Sequence, residues 1–506
     1  MSTTQVATPG VRGMPVARTG LAGWAVVAAL AQCVALVATS TRYGYHRDEL
    51  YFLAAGGHPA AGYPDQPPLV PLLAWAMNHL APEALVVLRL PSALAAGTIT
   101  ALAALVAREL GGGRRAQVVA ACCAATSGFV LATGHIVSTT TYDVLATTVV
   151  GFLLVRAVQR RSGPALFWAG VAAGVGTEAK PQVAFVTLVA VAALVALGPR
   201  WPLRSPWLYA GVAAAVALAA PYLVWQATHG WPQLAVAAHV GGSAEGGRLG
   251  FIPFQLVMVS PVLVPVWVAG LVAPWRRAGL RPLRFVPVTY VVVALAYLVG
   301  DGKAYYLASL YPLLLGFGVL PVADWCGRAG AGLRTGVLTV AVALSLVVNA
   351  VIALPLLPAT ALQGSPAMAL NPDQGETVGW PRFIATVGRA WTSLPASTRE
   401  HTAIFTANYG EAGAIDLLGS SAGLPRAYSG HNGFADWGRP PASATHALVL
   451  GYGGPRDLAP HFTHCRRLAV VDNGVGLDNQ EQGLPVLLCR PASSWAVLWP
   501  QLRHLN

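Results

Sequence analysis

Two adjacent carboxylates, Asp48 and Glu49, follow the first long apolar run of the chain, residues 21–40. A helix of about 20 residues crosses a bilayer core of roughly 30 Å. Acidic residues this close to a membrane cost free energy and therefore usually mark a functional site. A carboxylate there can take a proton from an acceptor hydroxyl, or hold a divalent cation together with a second acid. A structural ion pair with Arg47 or Arg42 is the alternative interpretation.

A third acid, Asp143, lies at the start of another apolar run, residues 141–158, and we expect it on the same side of the membrane as Asp48. Acids from separate loops can converge on one substrate, so we predict that Asp48, Glu49 and Asp143 form the catalytic set. An acid in the first turn of a helix is also stabilised by the helix dipole, and this leaves a structural role for Asp143 as the alternative.

Lysine is rare in this chain, because only Lys180 and Lys303 occur among its 32 Lys and Arg residues. Both lie in segments predicted to face outward, where the positive-inside rule does not explain them. An ammonium group is a compact donor for phosphate, and a lipid phosphate would lie at this depth of the bilayer. We therefore predict that these lysines bind phosphate. Snorkelling, or pairing with Glu178 and Asp301, is the alternative.

The composition places these residues in a membrane protein. The chain is 55% hydrophobic and 10% charged, which favours a polytopic membrane protein over a soluble enzyme. Its formal charge of +12 suggests nucleic-acid binding, but the arginines lie in short clusters between apolar runs, and that pattern is a topology signal. The arginine-rich ends are predicted to be cytoplasmic, so the loop with Asp48 faces outward. We predict a multi-pass protein of the plasma membrane that has no nucleic-acid partner.

The apolar runs predict a mostly α-helical fold with about eleven membrane-spanning helices. They lie near residues 21–40, 84–107, 116–133, 141–158, 164–178, 181–198, 207–225, 254–274, 285–300, 305–323 and 335–357.

Two outer segments are not predicted to span the membrane. Residues 66–82 are short and interrupted by proline, and we interpret them as a helix along the outer interface with Trp75 as an anchor. Residues 226–253 are predicted to be a connector, with a mobile flap over the site as the alternative.

The composition changes after residue 358, where Gly, Pro, Asn and Asp become frequent and short β-prone runs appear. This pattern predicts a small α/β domain in which Cys465 and Cys489 could form a disulfide if the domain lies outside the cell. The β-prone runs are residues 403–406, 447–450, 468–471 and 485–488, with a helical pattern over 410–418. The predicted organisation is a cytoplasmic N-terminus (1–20), a transmembrane domain (21–358) with a catalytic first outer loop (41–83), and an extracytoplasmic α/β domain (359–506).

Two motifs of the first outer loop resemble glycosyltransferase family 39. That family includes the dolichyl-phosphate-mannose protein mannosyltransferases and the bacterial aminoarabinose transferases of lipid A. The motifs are Arg-Asp-Glu-Leu-Tyr-Phe at 47–52 and Tyr-Pro-Asp-Gln-Pro-Pro at 63–68. The similarity extends to Asp143, the hairpin at Lys180, residues 302–308 and residues 408–413.

The resemblance implies an inverting transferase of the C-type membrane fold that takes its sugar, mannose or a pentose-like sugar, from a polyprenyl phosphate. It implies that Asp48 is the general base on the acceptor hydroxyl and that Asp143 is a second acid near the sugar or acceptor. The acceptor would be a cell-envelope lipid, glycan or protein. No cofactor is implied with certainty, and a divalent cation and the oligomeric state are left open.

A basic residue is implied to hold the leaving lipid phosphate. In the aminoarabinose transferases a lysine precedes the proline pair of the first loop, but Gln66 occupies that position here. We therefore assign phosphate binding to Lys303, Lys180 or Arg89. The residues predicted to contact substrate are Arg47, Tyr51, Asp65, Gln66, Tyr305, Tyr306 and His431.

A polytopic transporter or a lipid flippase is the alternative without transferase chemistry. Transporters place ionisable residues near the membrane midplane and are often built from repeated halves. Here the acids and lysines lie at one face, and the two halves of the sequence do not correspond, which favours the transferase.

Overall fold

The computed structural model describes residues 20–242, 247–328 and 330–505. The N-terminal two thirds is almost entirely helical, and the C-terminal part folds around a small β-sheet. The predicted mostly helical fold with a C-terminal α/β part is confirmed at this level. All but the last residue of the predicted cytoplasmic segment 1–20 lies outside the described residues.

Sixteen α-helices form the N-terminal part of the described chain. They are α1 (Gly23–Thr39), α2 (Arg47–Gly56), α3 (Leu69–Leu80), α4 (Leu85–Glu109), α5 (Arg114–Ala125), α6 (Gly128–His135), α7 (Thr139–Arg160), α8 (Gly163–Thr177), α9 (Gln182–Leu197), α10 (Pro206–Thr228), α11 (Pro232–Gly242), α12 (Gly247–Val259), α13 (Val264–Arg276), α14 (Phe285–Val299), α15 (Tyr311–Cys326) and α16 (Ala331–Ala353). A 3-10 segment, Ala304–Leu310, leads directly into α15.

The predicted number of about eleven membrane spans is not confirmed. By length and composition, five helices of the described chain could cross a membrane, or up to seven if each of two bent pairs counts as one span. One reason is that α1, α9 and α14 coincide with predicted spans but are 15 to 17 residues long. Another is that the run predicted at 116–133 is two helices, α5 and α6, bent by 58°.

The two outer segments differ in outcome. The short helix α3 lies within the segment 66–82 that was predicted to be a short non-spanning helix. The segment 226–253, predicted as a connector with a flap as the alternative, is largely helical in its described part, where it contains α11 and the start of α12, and its role stays a prediction.

Among the five described helices that are long and apolar enough to cross a membrane, the most buried are α4, α7 and the unit formed by the 3-10 segment and α15, and they line one large apolar core. In contrast, α10 and α16 are only 17% buried along their most apolar stretches. Apolar helices with outward-facing Leu and Val side chains are stable in contact with lipid, so the outer helices form the lipid-facing layer.

The C-terminal part contains a five-stranded mixed sheet with the strand order β2-β1-β3-β5-β4. Strand β1 pairs in parallel with β2 and β3, whereas β5 pairs antiparallel with β3 and β4. The predicted β-prone runs correspond to β1, β3, β4 and β5, and the three-residue β2 was not predicted. The strands are β1 (Thr402–Thr406), β2 (Ala427–Ser429), β3 (His446–Leu450), β4 (Phe462–Val470) and β5 (Pro485–Pro491).

Six α-helices accompany this sheet: α17 (Pro366–Leu370), α18 (Trp380–Thr392), α19 (Ala396–Arg399), α20 (Tyr409–Leu418), α21 (Pro455–Leu458) and α22 (Trp495–Leu502). A disulfide joins Cys465 of β4 to Cys489 of β5.

One hydrophobic core is shared between the first outer loop and the C-terminal part. It contains Leu50 and Phe52 of α2 together with Phe383 of α18, Ile404 of β1 and Ala412 of α20, all of them buried. Because apolar burial is the main stabilising term in folding, helix α2 is stabilised by the C-terminal part as well as by the membrane part.

Candidate active site

Helix α2 begins with a capping box that places two acids in its first turn. Nδ1 of His46 accepts a hydrogen bond from the Asp48 N–H at 3.2 Å, and the Glu49 carboxylate accepts one from the His46 N–H at 2.8 Å. These bonds satisfy N–H groups that have no partner within the helix. Acids at this end also interact favourably with the helix dipole, so the local sequence both starts the helix and positions Asp48.

Glu49 and Arg89 form a buried clamp between α2 and α4. The guanidinium donates from Nε to Oε1 and from Nη2 to Oε2, both at 2.8 Å, and Oε1 also accepts the Val137 N–H at 2.9 Å. Arg89 further donates to the carbonyl oxygens of Ser40 and Gly44. Burial alone would raise the pKa of Glu49, but the guanidinium and the N–H groups bring it below its usual value.

This geometry corrects two predictions. Glu49 was predicted to be catalytic, yet it is fully buried and its oxygens are engaged by donors from within the protein. Arg89 was a candidate for phosphate binding, yet its side chain is 2% exposed and hydrogen-bonded to Glu49 and two carbonyls. Both residues are positioned as a structural clamp and not as groups that meet a substrate.

Asp48, the residue beside Glu49, has a different environment. Its side chain is 38% exposed, and its Oδ1 accepts a hydrogen bond of 2.9 Å from the Tyr409 hydroxyl. An accessible carboxylate, held by one donor, can accept a proton from a hydroxyl that reaches it. The geometry is therefore compatible with the predicted role of Asp48 as a base.

Helix α20 of the C-terminal part brings Tyr409 to this position by close packing on α2. A Cβ on Gly410 would lie 2.9 Å from Cβ of Arg47, and one on Gly413 would lie 2.8 Å from the Leu50 carbonyl oxygen. Both distances are too short for a real Cβ, so the approach of the two helices requires glycine at these positions. Tyr409, the first residue of α20, directly precedes Gly410.

The two lysines lie on either side of an aromatic group. Nζ of Lys180 is 5.4 Å from the ring centre of Tyr305 and 4.9 Å from that of Tyr306, and Nζ of Lys303 is 5.9 Å from Tyr305. Lys180 also donates to the Thr140 hydroxyl at 2.9 Å. A ring contact engages the charge of an ammonium group and leaves N–H donors for another partner, so both lysines can still meet an anion.

Asp143 lies within α7 next to this cationic group. Its oxygens accept hydrogen bonds from Gln182 at 3.0 Å and from Thr147 at 3.2 Å, and its charge acts on Lys180. Asp143 is 1% exposed. In this structure Asp143 balances part of the lysine charge, while Gln182 links it to the carbonyl oxygen of Tyr306 at 2.6 Å.

Tyr305 connects the anionic and the cationic sides. Both lysines contact its ring, and the charge of Asp48 also acts on it. The predicted base and the predicted phosphate ligands therefore converge on one region, although Lys180 and Lys303 follow Asp48 by 132 and 255 residues in the sequence. A site with a carboxylate on one side and ammonium groups on the other can deprotonate a hydroxyl while it stabilises a departing phosphate.

Two of the predicted substrate contacts lie beside Asp48. The Tyr51 hydroxyl donates to Asp65 at 2.7 Å and accepts the Gly433 N–H at 3.1 Å. Burial raises the pKa of Asp65 to about 7 despite these bonds, and the nearby charge of Asp48 contributes to the increase. Gln66 is buried, and its Nε2 has no hydrogen-bond partner among the described residues.

Arg47 and His431 do not occupy the positions expected of substrate ligands. Arg47 is buried, pairs with Glu481 at 3.1 Å and with Glu376 at 3.6 Å, and bonds to Gln480, so it connects α2 to the C-terminal part. His431 is buried against the rings of Tyr409 and His504, with ring centres 4.5 and 4.6 Å away. Both geometries favour support of the site over direct contact with a substrate.

Three residues that hold the site were not singled out from the sequence: Tyr409, Gln182 and Thr140. Tyr409 lies within the 408–413 motif, but its partner is 361 residues away, and nothing local indicates that contact. Gln182 and Thr140 could have been found from their positions in the sequence, because they lie within three residues of Lys180 and Asp143 respectively.

In the described part of the chain, no group of three or more His, Cys, Asp or Glu side chains could hold a metal ion. Glu49, the acid adjacent to Asp48, is engaged by Arg89. A divalent cation remains a prediction from the sequence.

Comparison with known proteins supports the resemblance seen in the sequence. A family model described as dolichyl-phosphate-mannose-protein mannosyltransferase matches residues 65–225, and this confirms the similarity to glycosyltransferase family 39. None of the curated protein sequences matches the chain.

Solved structures show the same fold. ArnT from Cupriavidus metallidurans in the apo state superposes with a TM-score of 0.59 and 13% identity over 92% of this chain and 98% of that one. ArnT bound to undecaprenyl phosphate gives 0.58 and 14%, over 94% and 99%. The arabinofuranosyltransferase AftD from Mycobacteria gives 0.51 and 14% identity over 93% of this chain and 40% of that one.

Proposed function

We propose that this protein is a membrane glycosyltransferase that moves a sugar from a polyprenyl-phosphate donor to a hydroxyl of a cell-envelope lipid, glycan or protein. The observation that carries the proposal is the convergence of Asp48 and of the pair Lys180 and Lys303 around Tyr305. The similar fold of ArnT, for which a structure with undecaprenyl phosphate exists, supports the lipid part of the donor.

In the proposed reaction the acceptor hydroxyl attacks the anomeric carbon of the sugar. Its proton passes to the Asp48 carboxylate as the new carbon–oxygen bond forms. The bond between the anomeric carbon and the phosphate oxygen breaks, and the phosphate leaves with the electron pair. Direct displacement by the acceptor inverts the anomeric centre. No nucleotide is needed at this site, because the donor already carries an activated sugar.

The cationic side acts on the charge that develops at the leaving phosphate. Lys180 and Lys303 are already in place before the reaction, so the stabilisation requires little rearrangement. Asp143 offsets one lysine charge and, through Gln182, fixes the backbone of Tyr306. We propose that it also contacts the sugar or the acceptor.

We further propose that the site lies on the extracytoplasmic face of the plasma membrane. Arginine clusters mark the ends of the apolar runs that lie on the side away from Asp48, and the positive-inside rule assigns those ends to the cytoplasm. The disulfide between Cys465 and Cys489 supports the same orientation, because disulfides persist in oxidising compartments.

A transfer assay with the purified protein tests the proposal. The protein is incubated with a panel of polyprenyl-phosphate sugars, including mannose and pentose-like donors, and loss of each donor is followed by mass spectrometry. We expect consumption of at least one donor. Asp48→Asn should reduce its transfer by about 10³-fold or more without a change in folding.

Asp478→Asn, an exposed acid of the C-terminal part, is the matched control and should keep wild-type activity. Transfer at the wild-type rate by Asp48→Asn would contradict the proposal. Solute uptake in the absence of any donor lipid would favour the transporter.

A further inference from the structure

The proposed base receives its hydrogen bond from the other end of the chain. The Tyr409 hydroxyl donates to Oδ1 of Asp48 at 2.9 Å across a sequence separation of 361 residues. Asp48 is partly exposed, so water could supply the same hydrogen bond. The use of a tyrosine hydroxyl in place of water therefore requires a structural or a functional reason.

The position of Tyr409 is determined by several independent contacts. Its ring stacks on Tyr51 of α2 at 4.6 Å and lies against His431 at 4.5 Å, while its N–H points to Nδ1 of His431 at 3.4 Å. Asn408 and Glu411 cap the helix that starts at this residue. The hydroxyl is therefore held at one point relative to α2, which is the condition for orienting a catalytic group.

The second oxygen of Asp48 has a different environment. Oδ2 lies 3.9 Å from Nδ1 of His46, beyond hydrogen-bond distance. That nitrogen already accepts the Asp48 N–H, so it carries no proton to donate. The two oxygens of the carboxylate are thus not equivalent.

We propose that Tyr409 is a positioning residue for the base: its hydroxyl holds Oδ1 of Asp48, and Oδ2 takes the proton of the acceptor hydroxyl. Tyr409 keeps its own proton throughout. This inference rests on the proposed function and extends it by assigning the C-terminal part a direct role in the chemistry.

The hydrogen bond has a measurable electrostatic consequence. A donor to a carboxylate stabilises the ionised form, so its removal makes Asp48 easier to protonate. Other groups also interact electrostatically with the Asp48 carboxylate, and replacement of Tyr409 by phenylalanine leaves them unchanged. They are His46 and Arg47 of its own segment, Asp65 of the first outer loop and Tyr305 of the segment before α15.

Tyr409→Phe removes the hydroxyl and keeps the ring that stacks on Tyr51. We expect kcat to fall about 10- to 100-fold, the range for one hydrogen bond to a charged group, with little change in KM for the donor lipid. The acidic limb of the pH profile of kcat should move up by about one pH unit, because protonated Asp48 cannot act as a base.

Tyr428→Phe is the matched control, since Tyr428 lies on β2 of the same sheet, with its ring near Arg426 and away from α2. It should leave kcat, KM and the pH profile unchanged. Thermal unfolding of both variants checks that they fold.

Two results would overturn the inference. The first is a wild-type kcat and an unmoved acidic limb in Tyr409→Phe. The second is a lower activity with an unmoved limb and a raised KM, as expected if the hydroxyl only supported the fold. Asp48→Asn is measured in the same assays. If it is inactive, either result contradicts only the proposed role of Tyr409. If it is active, the proposed function itself fails.

Discussion

The two sides of the candidate site are built differently. On the anionic side, the Glu49 carboxylate accepts four hydrogen bonds, from two guanidinium atoms of Arg89 and from the N–H groups of His46 and Val137. On the cationic side, Lys180 donates to one hydroxyl, and within the described part of the chain the contact of Lys303 is a ring. The first turn of α2, which carries Asp48, is thus fixed by the bonds of its neighbour Glu49, while the lysine side chains make few polar contacts.

This difference matches what each side has to do in the proposed reaction. A base must be in place before the acceptor arrives, because small displacements of a catalytic group reduce the rate strongly. A cation that receives a leaving phosphate must instead keep its N–H groups free for that phosphate. Fewer internal contacts at the lysines are therefore consistent with binding a ligand.

The largest effect is expected from a substitution of Glu49, the residue that accepts the four hydrogen bonds of the anionic side. Glu49→Gln leaves the Arg89 guanidinium buried without its counter-charge, and breaking a buried ion pair from one side costs about 3–5 kcal/mol. We expect a large fall in the unfolding temperature in detergent, or loss of the folded protein. Asp48→Asn, one residue earlier, should leave the unfolding temperature nearly unchanged.

Asp436→Asn is the control for loss of an ion pair as such, because the pair of Asp436 with Arg503 is exposed and should contribute little. If Glu49→Gln unfolded at the wild-type temperature, the ion pair of Glu49 with Arg89 would not be what stabilises the position of α2.

The second test addresses the cationic side. Lys303→Met should reduce kcat/KM for the donor lipid about 10- to 100-fold while leaving stability unchanged, because the lysine charge acts on the phosphate and, among the described residues, its side chain contacts the Tyr305 ring. Steady-state kinetics and an unfolding curve on the same preparation measure both quantities.

Lys303→Arg should recover part of the activity, and Arg439→Met, which removes an exposed charge of the C-terminal part, should have no effect. Unchanged kinetics in Lys303→Met would remove this lysine from the proposed site and would leave the cationic side to Lys180.

The smallest expected effect concerns pH and the seam between α2 and the C-terminal part, which we define as Arg47, Glu376, Glu411 and Glu481. Burial, together with the charge of Glu481, raises the pKa of Glu411 to about 8, and burial raises that of Glu481 to about 7. The folded protein therefore keeps protons that the unfolded chain releases near pH 4.3. Stability should fall as pH rises from about 5 to 8.

Glu411→Gln removes one of these titrations, because glutamine resembles the protonated acid in shape and charge. We expect the unfolding temperature to depend less steeply on pH between about 5.5 and 8.5, and Glu400→Gln, an exposed control, to keep the wild-type slope. An unchanged slope in Glu411→Gln would show that this acid is ionised in the folded protein.

The sequence allowed part of the site to be predicted, for physical reasons that differ from residue to residue. Asp48, Asp143, Lys180 and Lys303 stood out because charged groups next to apolar runs are costly and rare. Asp48 and Glu49 could not be separated in this way. Only the packed structure shows that Glu49 is directed to Arg89 while Asp48 remains accessible.

The fold was predictable in outline and less so in its boundaries. Hydropathy identified the apolar segments, but it does not show whether a segment is one straight helix or two bent ones, as in α5 and α6. Contacts between distant segments, such as Tyr409 with Asp48, depend on how the whole chain packs and leave no local periodicity.

The shared core of α2 and the C-terminal part also bears on how the protein is made. Helix α2 leaves the ribosome hundreds of residues before α20, and proteins are synthesised at about 5–20 residues per second. For tens of seconds a newly inserted chain contains Asp48 but not yet Tyr409, which hydrogen-bonds to it in the folded protein. The proposed activity therefore requires that the last third of the chain has been translated and has docked, so we expect a chain released early to be inserted in the membrane but inert.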